Sequence, residues 1–471
     1  MQYDLTPVQM ENALSFMKEA FTANPMPSQA SRIKKLMGLK SALIEYTDKL
    51  CTAVSLDYGH RSQLDTLMAD IVPCIGNIDH TVDCLPHWMT SSIRHSGALL
   101  STSRVEVVYQ PKGVVGIVTP WNFPIMLSVG PLISALAAGN RAMIKMSEFT
   151  PYTNQVLGEM LATVFDHSEV QIVEGEADIA ASFTALNFDH MLFTGSTQVG
   201  RHVMKAAAAN LTPVTLELGG KSPVIVAEDM PINIAVERII YGKSLNNGQV
   251  CVAPDYILLP ESKIEQFIDE YKSRYQSLFV EGVYSNNLTS MANQRQYERI
   301  MALLDEEEQA ETRIEACHSD ALDPSNHRLV THLLVEPSLT STAMREEIFG
   351  PILPIIGYKN IEEVFSIVNS KPRPLALYLM TFDRGLQQEV KTKVHSGGMC
   401  INDCVFHLAV DDAPFGGVGE SGLGHYHGKE GFLTFSHAKT VMETGLDHRV
   451  KHLFSAEDNE LKAAVMSMLG K

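Results

Sequence analysis

Cys251 stands in Gly248-Gln249-Val250-Cys251-Val252-Ala253-Pro254-Asp255, one of 7 cysteines in a chain of 471 residues. The Gly-Gln step before it can turn sharply and present a thiol to a substrate. Cysteine is intrinsically the most nucleophilic side chain near neutral pH. A lone cysteine in an apolar setting is more often a small buried hydrophobe, so its company decides. In Thr119-Pro120-Trp121-Asn122-Phe123-Pro124 the Asn122 amide can donate to an oxyanion, or simply cap a proline-bounded turn. In Ile144-Lys145-Met146-Ser147-Glu148, Lys145 and Glu148 suit ribose hydroxyls, or form an ordinary charged loop. In Phe193-Thr194-Gly195-Ser196-Thr197-Gln198-Val199-Gly200 the glycines allow close backbone approach, and the start of a helix favours a phosphate. In Glu217-Leu218-Gly219-Gly220-Lys221-Ser222 a carboxylate beside two glycines is either a general base or a surface glutamate before a turn.

These residues need a scaffold, and the apolar pattern supplies one. Residues 6–79 read as helices, with Leu36, Leu39, Leu43 and Ile44 at helical spacing. Asp57-Tyr58-Gly59-His60-Arg61-Ser62 breaks them, and His60 and Arg61 read as surface or interface residues. Residues 105–109 are β-formers before the turn Gln110-Pro111-Lys112-Gly113. Strands then alternate with helices: 114–118 with 125–138, 142–145 with 153–165, 170–173 with 178–186, 190–193 with 199–210. Such alternation predicts parallel βαβ units, which bind ligands beyond the carboxyl ends of their strands. The G-x-G-x-x-G pattern is absent from the first strand–helix turn, so a conventional Rossmann reading is not licensed. A second alternating section runs through strand 223–226, helix 232–245, strand 256–259 and helix 263–278, with strands near 329–336 and 352–358. Residues 306–327 read as polar surface. Glycine-rich segments follow at 396–398 and 415–422, and 451–471 reads as an amphipathic helix.

Length and 45% hydrophobic content imply more than one core. A net charge of -18 argues against nucleic acid or an anionic membrane as partner. No apolar run approaches the ~20 residues that span a bilayer, so no membrane anchor is expected. The cysteine count is odd and the amino terminus shows no signal-peptide pattern, which predicts a reducing, cytoplasmic setting with free thiols. Cys400 and Cys404 read as packing residues, because no further Cys or His at suitable spacing completes a metal site.

The order Asn122, Lys145/Glu148, Gly195/Gly200, Glu217, Cys251 and Glu346-Glu347-Ile348-Phe349-Gly350-Pro351 resembles the aldehyde dehydrogenase superfamily over roughly residues 100–440. Ala253-Pro254-Asp255-Tyr256, Lys371-Pro372-Arg373-Pro374-Leu375-Ala376 and His425-Tyr426-His427-Gly428-Lys429-Glu430 resemble its class 3 branch. Asp57 to Ser62 and His407-Leu408-Ala409-Val410-Asp411-Asp412 are most similar to the coniferyl-aldehyde dehydrogenase members of that branch.

The resemblance implies an α/β fold. It would hold a Rossmann-like parallel-sheet cofactor domain (1–100 and 111–216, with a helical amino-terminal part) and a second α/β catalytic domain (217–400). A small bridging β-hairpin (101–110 and 432–442) would serve oligomerisation, and 443–471 would be a tail. It implies that Cys251 attacks an aldehyde, that Asn122 and the Cys251 N–H hold the oxyanion, and that Glu217 activates the water that releases the acid. Lys145 and Glu148 would hold the adenosine ribose, and Gly195, Ser196 and Gly200 the pyrophosphate. Glu347 and Phe349 would hold the nicotinamide riboside. Met146 stands where the family usually carries proline. NAD is the expected cofactor, with NADP possible, and a homodimer the expected assembly. The expected substrate is coniferyl aldehyde or a similar aromatic aldehyde, with aliphatic aldehydes as the alternative; Phe123, Val250 and Val252 would give the site an apolar lining. An acylating enzyme using coenzyme A is disfavoured by Glu217, a scaffold without activity by the presence of both Cys251 and Glu217, and a Cys–His hydrolase by the lack of a local motif.

Overall fold

A computed structural model describes residues 4–97, 100–446 and 459–470. The continuous apolar run Val114–Val118 is buried along its whole length, the mark of a central strand covered on both faces. It lies in a six-stranded sheet whose order is Gly422–Leu423, Val214–Leu218, His190–Gly195, Val114–Val118, Arg141–Lys145, Val170–Val173. All neighbours are parallel except the short first strand. The chain starts at Val114, winds outward through two strands, then returns to the other side of the starting strand. The carboxyl ends of four adjacent strands thus carry, in spatial order, Glu217, Gly195, Thr119 and Lys145.

A seven-stranded sheet takes the order Arg313–Ala316, His332–Val335, Ile352–Tyr358, Tyr256–Pro260, Pro223–Val226, Ala376–Met380, Gly398–Ile401. Only its first pair is antiparallel. Its amino ends receive Gly219-Gly220 before Pro223, Cys251 before Tyr256, and Glu347–Phe349 before Ile352. One sheet therefore offers its carboxyl ends and the other its amino ends, joined by residues 219–222. The boundary expected at 216/217 falls inside the strand Val214–Leu218.

The bridging element is a three-stranded antiparallel sheet, Ser92–Arg94, Ser103–Pro111 and Ser436–Thr444. Its long strands come from distant parts of the chain and pair from Ser436↔Pro111 to Thr444↔Ser103. Residues 432–434 belong instead to the helix Gly428–Thr434.

Three other expectations are corrected. Residues 306–327 are not merely polar surface: the helix Gln294–Gln309 and strand Arg313–Ala316 bury Glu307 and Cys317. Arg61 is not a surface residue; it is 2% exposed beneath the Asn122 turn. Phe123, Val250 and Val252 are buried core, and the Phe123 ring packs on the Arg61 guanidinium at 4.9 Å. Of the tail expected as a helix, 451–458 and 471 lie outside the described residues, and Asn459–Met468 is helical. Among the described residues no helix is long and apolar enough to cross a membrane.

Candidate active site

The helix Ile232–Ser244 ends beneath the crevice between the two sheets, and three consecutive left-handed residues, Asn246 (φ 49), Asn247 (φ 53) and Gly248 (φ 76), reverse the chain. Asparagine tolerates this region and glycine enters it freely. Gly248 is obligatory for a second reason: a Cβ there would lie 2.5 Å from the Gly350 carbonyl oxygen. Gln249 locks the reversed loop. Its side-chain amide donates to Asn246 O (3.0 Å) and Ser290 O (3.1 Å), and its Oε1 accepts from Ala292 N (2.9 Å). Tyr378 Oη donates to Val252 O at 2.5 Å. Cys251 emerges half-buried between these anchors. Burial pushes its thiol up to about 12, with the Glu347 and Glu217 carboxylates adding to the rise.

Glu217 points off its strand into the crevice and is 4% exposed. Neither carboxyl oxygen has a hydrogen-bond partner among the described residues. Burying a carboxylate unpaired is costly, so burial drives its pKa well above the ordinary glutamate value. The glycine-rich segment 415–422 makes that burial. Gly422 pairs with Glu217 across the sheet, and a Cβ on Gly416 would stand 3.2 Å from Glu217 Oε1. Asn122 is buried, and its Nδ2 donates to Gln249 O at 3.1 Å. An amide nitrogen carries two hydrogens, and among the described residues Gln249 O is the one acceptor that this Nδ2 meets.

The residues expected to hold the cofactor fall into three groups. At the carboxyl end of Arg141–Lys145, the buried Lys145 Nζ donates to Met146 O at 2.6 Å. Burial lowers its pKa, opposed most strongly by Glu148, so an ammonium and a half-buried carboxylate stand together. Met146 has a consequence that proline could not reproduce: its N–H donates to Val173 O at 3.0 Å. Two strands away, Gly195 and Gly200 permit close packing, since a Cβ would meet the Phe193 ring at 2.6 Å or Leu218 at 2.7 Å. Ser196 caps the helix Thr197–Ala208 by accepting from Val199 N at 3.4 Å, leaving the helix start open to solvent.

Glu347 and Phe349 come from the other sheet. The Glu347 carboxylate lies over Gly219, where a Cβ would be 2.0 Å from its Oε2. Loss of solvent and then Asp255 push it up to about 8, opposed by the Gly220 N–H. Phe349, held at φ 49, sets its ring edge-on to Trp121 at 5.4 Å, beside Asn122. Cys251, Glu217 and Glu347 are thus within electrostatic reach of one another, while Lys145/Glu148 and Gly195/Ser196/Gly200 occupy neighbouring strand ends. This set fits a dinucleotide: a glycine floor under Glu347, an open helix start, and a Lys/Glu pair suited to a diol. Among the described residues no group of three or more His, Cys, Asp or Glu could hold a metal ion.

Several functional supports were not singled out from sequence. Lys221 pairs with Asp255 and donates to Ala343 O (2.7 Å) and Glu346 O (2.9 Å), while Asp255 Oδ1 accepts from Ile348 N (2.9 Å). That buried pair fastens the Glu347 loop to the Cys251 loop. Both residues sit inside conspicuous motifs, but their partnership spans 34 positions. Arg61, Tyr58 and Asp70 carried no signal toward Asn122 at all.

The model of the aldehyde dehydrogenase family matches residues 2–441. A Pseudomonas aeruginosa protein described as a probable coniferyl aldehyde dehydrogenase is 46% identical over 433 residues, covering 92% of this chain and 90% of that one. The structure of Staphylococcus aureus AldH in a substrate-bound state aligns with TM-score 0.91 and 34% identity, covering 98% of this chain and 99% of that one. PnpE in complex with nicotinamide adenine dinucleotide aligns with TM-score 0.86 and 25% identity, covering 94% and 91%. The chain therefore belongs to the aldehyde dehydrogenase family and is an aldehyde-oxidising oxidoreductase that uses a nicotinamide cofactor.

Proposed function

We propose that the chain oxidises coniferyl aldehyde or a similar aromatic aldehyde to its carboxylic acid, with Cys251 as nucleophile, Asn122 as oxyanion donor and Glu217 as general base. The observation that carries this is the meeting of a half-buried thiol with an unpartnered buried carboxyl group in one crevice. The Cys251 thiol releases its proton to water, the thiolate Sγ adds to the carbonyl carbon, and the new oxyanion faces the free Asn122 amide hydrogen and the Cys251 N–H. Such a donor is worth about 3 kcal/mol in the barrier. The nicotinamide cofactor supplies the hydride acceptor. The acyl group is then a thioester on Sγ, and Glu217 takes a proton from the water that releases the acid.

Lys145, Glu148, Gly195, Ser196, Gly200, Glu347 and Phe349 hold the cofactor in this reading. The Glu148 carboxylate favours NAD over NADP, because it repels a 2′-phosphate. Residues 1–100 and 111–216 serve the cofactor, 217–400 the chemistry, and 101–110 with 432–442 the bridge. The largely exposed edge strand Ser436–Thr444 favours a homodimer, since such edges invite pairing. A cytoplasmic location accords with free cysteines.

The test is the rise in reduced-cofactor absorbance with coniferaldehyde, benzaldehyde, hexanal or decanal, using NAD and NADP separately. A kcat/KM at least tenfold higher for coniferaldehyde with NAD is expected. Preference for the alkanals would reassign the substrate and leave the residue roles intact; silence with all four would defeat them.

A further inference from the structure

Asn122 can hold an oxyanion only if its turn is rigid, and a structure deep beneath that turn fixes it from both sides. The Asn122 backbone carbonyl accepts three donors: Arg61 Nη1 at 2.7 Å, Asn246 Nδ2 at 3.1 Å and Tyr58 Oη at 3.2 Å. Tyr58 Oη also reaches the Trp121 carbonyl at 3.1 Å. Arg61 Nη2 pairs with Asp70 Oδ2 at 2.9 Å, and both side chains are fully enclosed. Asp70 Oδ1 accepts from Ile125 N (3.1 Å) and Met126 N (2.8 Å), on the other side of the same turn. The guanidinium lies between the Tyr58 ring (5.1 Å) and the Phe123 ring (4.9 Å). Asp70 sits in the one π-helical turn among the described residues, Leu67–Ile71.

A buried ion pair is a poor way to gain stability, because desolvation offsets its attraction. Its two forked ends fit a different purpose. One guanidinium bridges the Asn122 carbonyl to a carboxylate that clamps residues 125 and 126. Lysine has a single ammonium and cannot hold that planar fork. We propose that Arg61 is a positioning residue for the oxyanion site: with Tyr58 and Asp70, it sets the Asn122 amide against Cys251. This rests on the oxyanion role of Asn122 proposed above.

Arg61→Lys and Tyr58→Phe are each compared with the wild type and with Asn122→Ala, every variant first checked by thermal melting. Arg61→Lys should lower kcat about 10- to 100-fold, the scale of a displaced catalytic group, and change KM less than threefold. The rate of Cys251 alkylation by iodoacetamide should stay within twofold, since that reaction forms no oxyanion. In the Asn122→Ala background, Arg61→Lys should lower kcat no further than about twofold, because it acts through Asn122. Tyr58→Phe should show the same pattern with a smaller loss, and it decides the matter if Arg61→Lys does not fold. Undiminished kcat in the folded variants overturns the proposal. So do losses that multiply in the double variant, or a change confined to KM. Full kcat in Asn122→Ala defeats the oxyanion reading and this proposal together; an impaired Asn122→Ala beside unimpaired Arg61 and Tyr58 variants defeats this proposal alone.

Discussion

A carboxyl group that no neighbour satisfies holds its proton more tightly than one in water, and Glu217 is such a group. Its folded pKa lies above the unfolded value, so the native state holds a proton that the unfolded chain releases. The linked stability is full below pH ~4.5 and is lost as pH rises toward the folded value, at roughly 1 kcal/mol per pH unit. Glu217→Gln mimics the protonated form. Denaturant titrations from pH 5 to 8 should show that variant gaining on the wild type as pH rises, while its turnover falls at least 100-fold; parallel stability profiles would contradict the burial argument. Cys251 gives a second pH test. With its thiol pushed up to about 12, alkylation of the cofactor-free protein should quicken about tenfold per unit from pH 7 to 9 without a plateau, because the thiolate is the nucleophile. A plateau near pH 7 would show a thiolate stabilised by something other than these neighbours. The motifs that hold Cys251, Glu217 and Asn122 stood out in the sequence by their order along the chain, and the structure brings all three to the junction of the two sheets. The enclosure of Glu217 was not legible there, because the segment that encloses it lies some 200 positions away.

At the level of elements, glycines set how closely the two sheets meet. Gly248→Ala would put a methyl group 2.5 Å from Gly350 O at a φ of 76, which should cost about 1–3 kcal/mol and lower the melting temperature. Gly219→Ala would instead collide with the Glu347 carboxylate; its expected signature is a cofactor KM raised several-fold, with melting little changed. Apolar runs such as 114–118 and 223–226 were legible to the residue, because buried parallel strands are continuous in hydrophobicity. The strands Ala376–Met380 and Gly398–Ile401 were not foreseen. They close a parallel edge whose register is set by neighbours distant in sequence. Arg61 was misread for a related reason. A charged residue beside Gly59 reads as surface, and only the fold brings the Asp70 carboxylate and the Asn122 carbonyl to it.

For the molecule as a whole, the site belongs to neither sheet. Glu217 and Asn122 arrive from one, Cys251 and Glu347 from the other, and the three-stranded sheet ties the chain's last third back to residues 103–111. If its exposed strand is the contact between copies, sedimentation should find two-chain particles, and Ala438→Pro on that strand should shift the population toward monomer. The glycine segment over Glu217 also has a consequence in time. During synthesis, the nucleophile leaves the ribosome some 165 residues before Gly416. If Cys251 and Glu217 act as proposed, a chain arrested in that interval carries the thiol without the enclosed base. The enclosure of Glu217 is thus completed only after residues 415–422 have joined the fold.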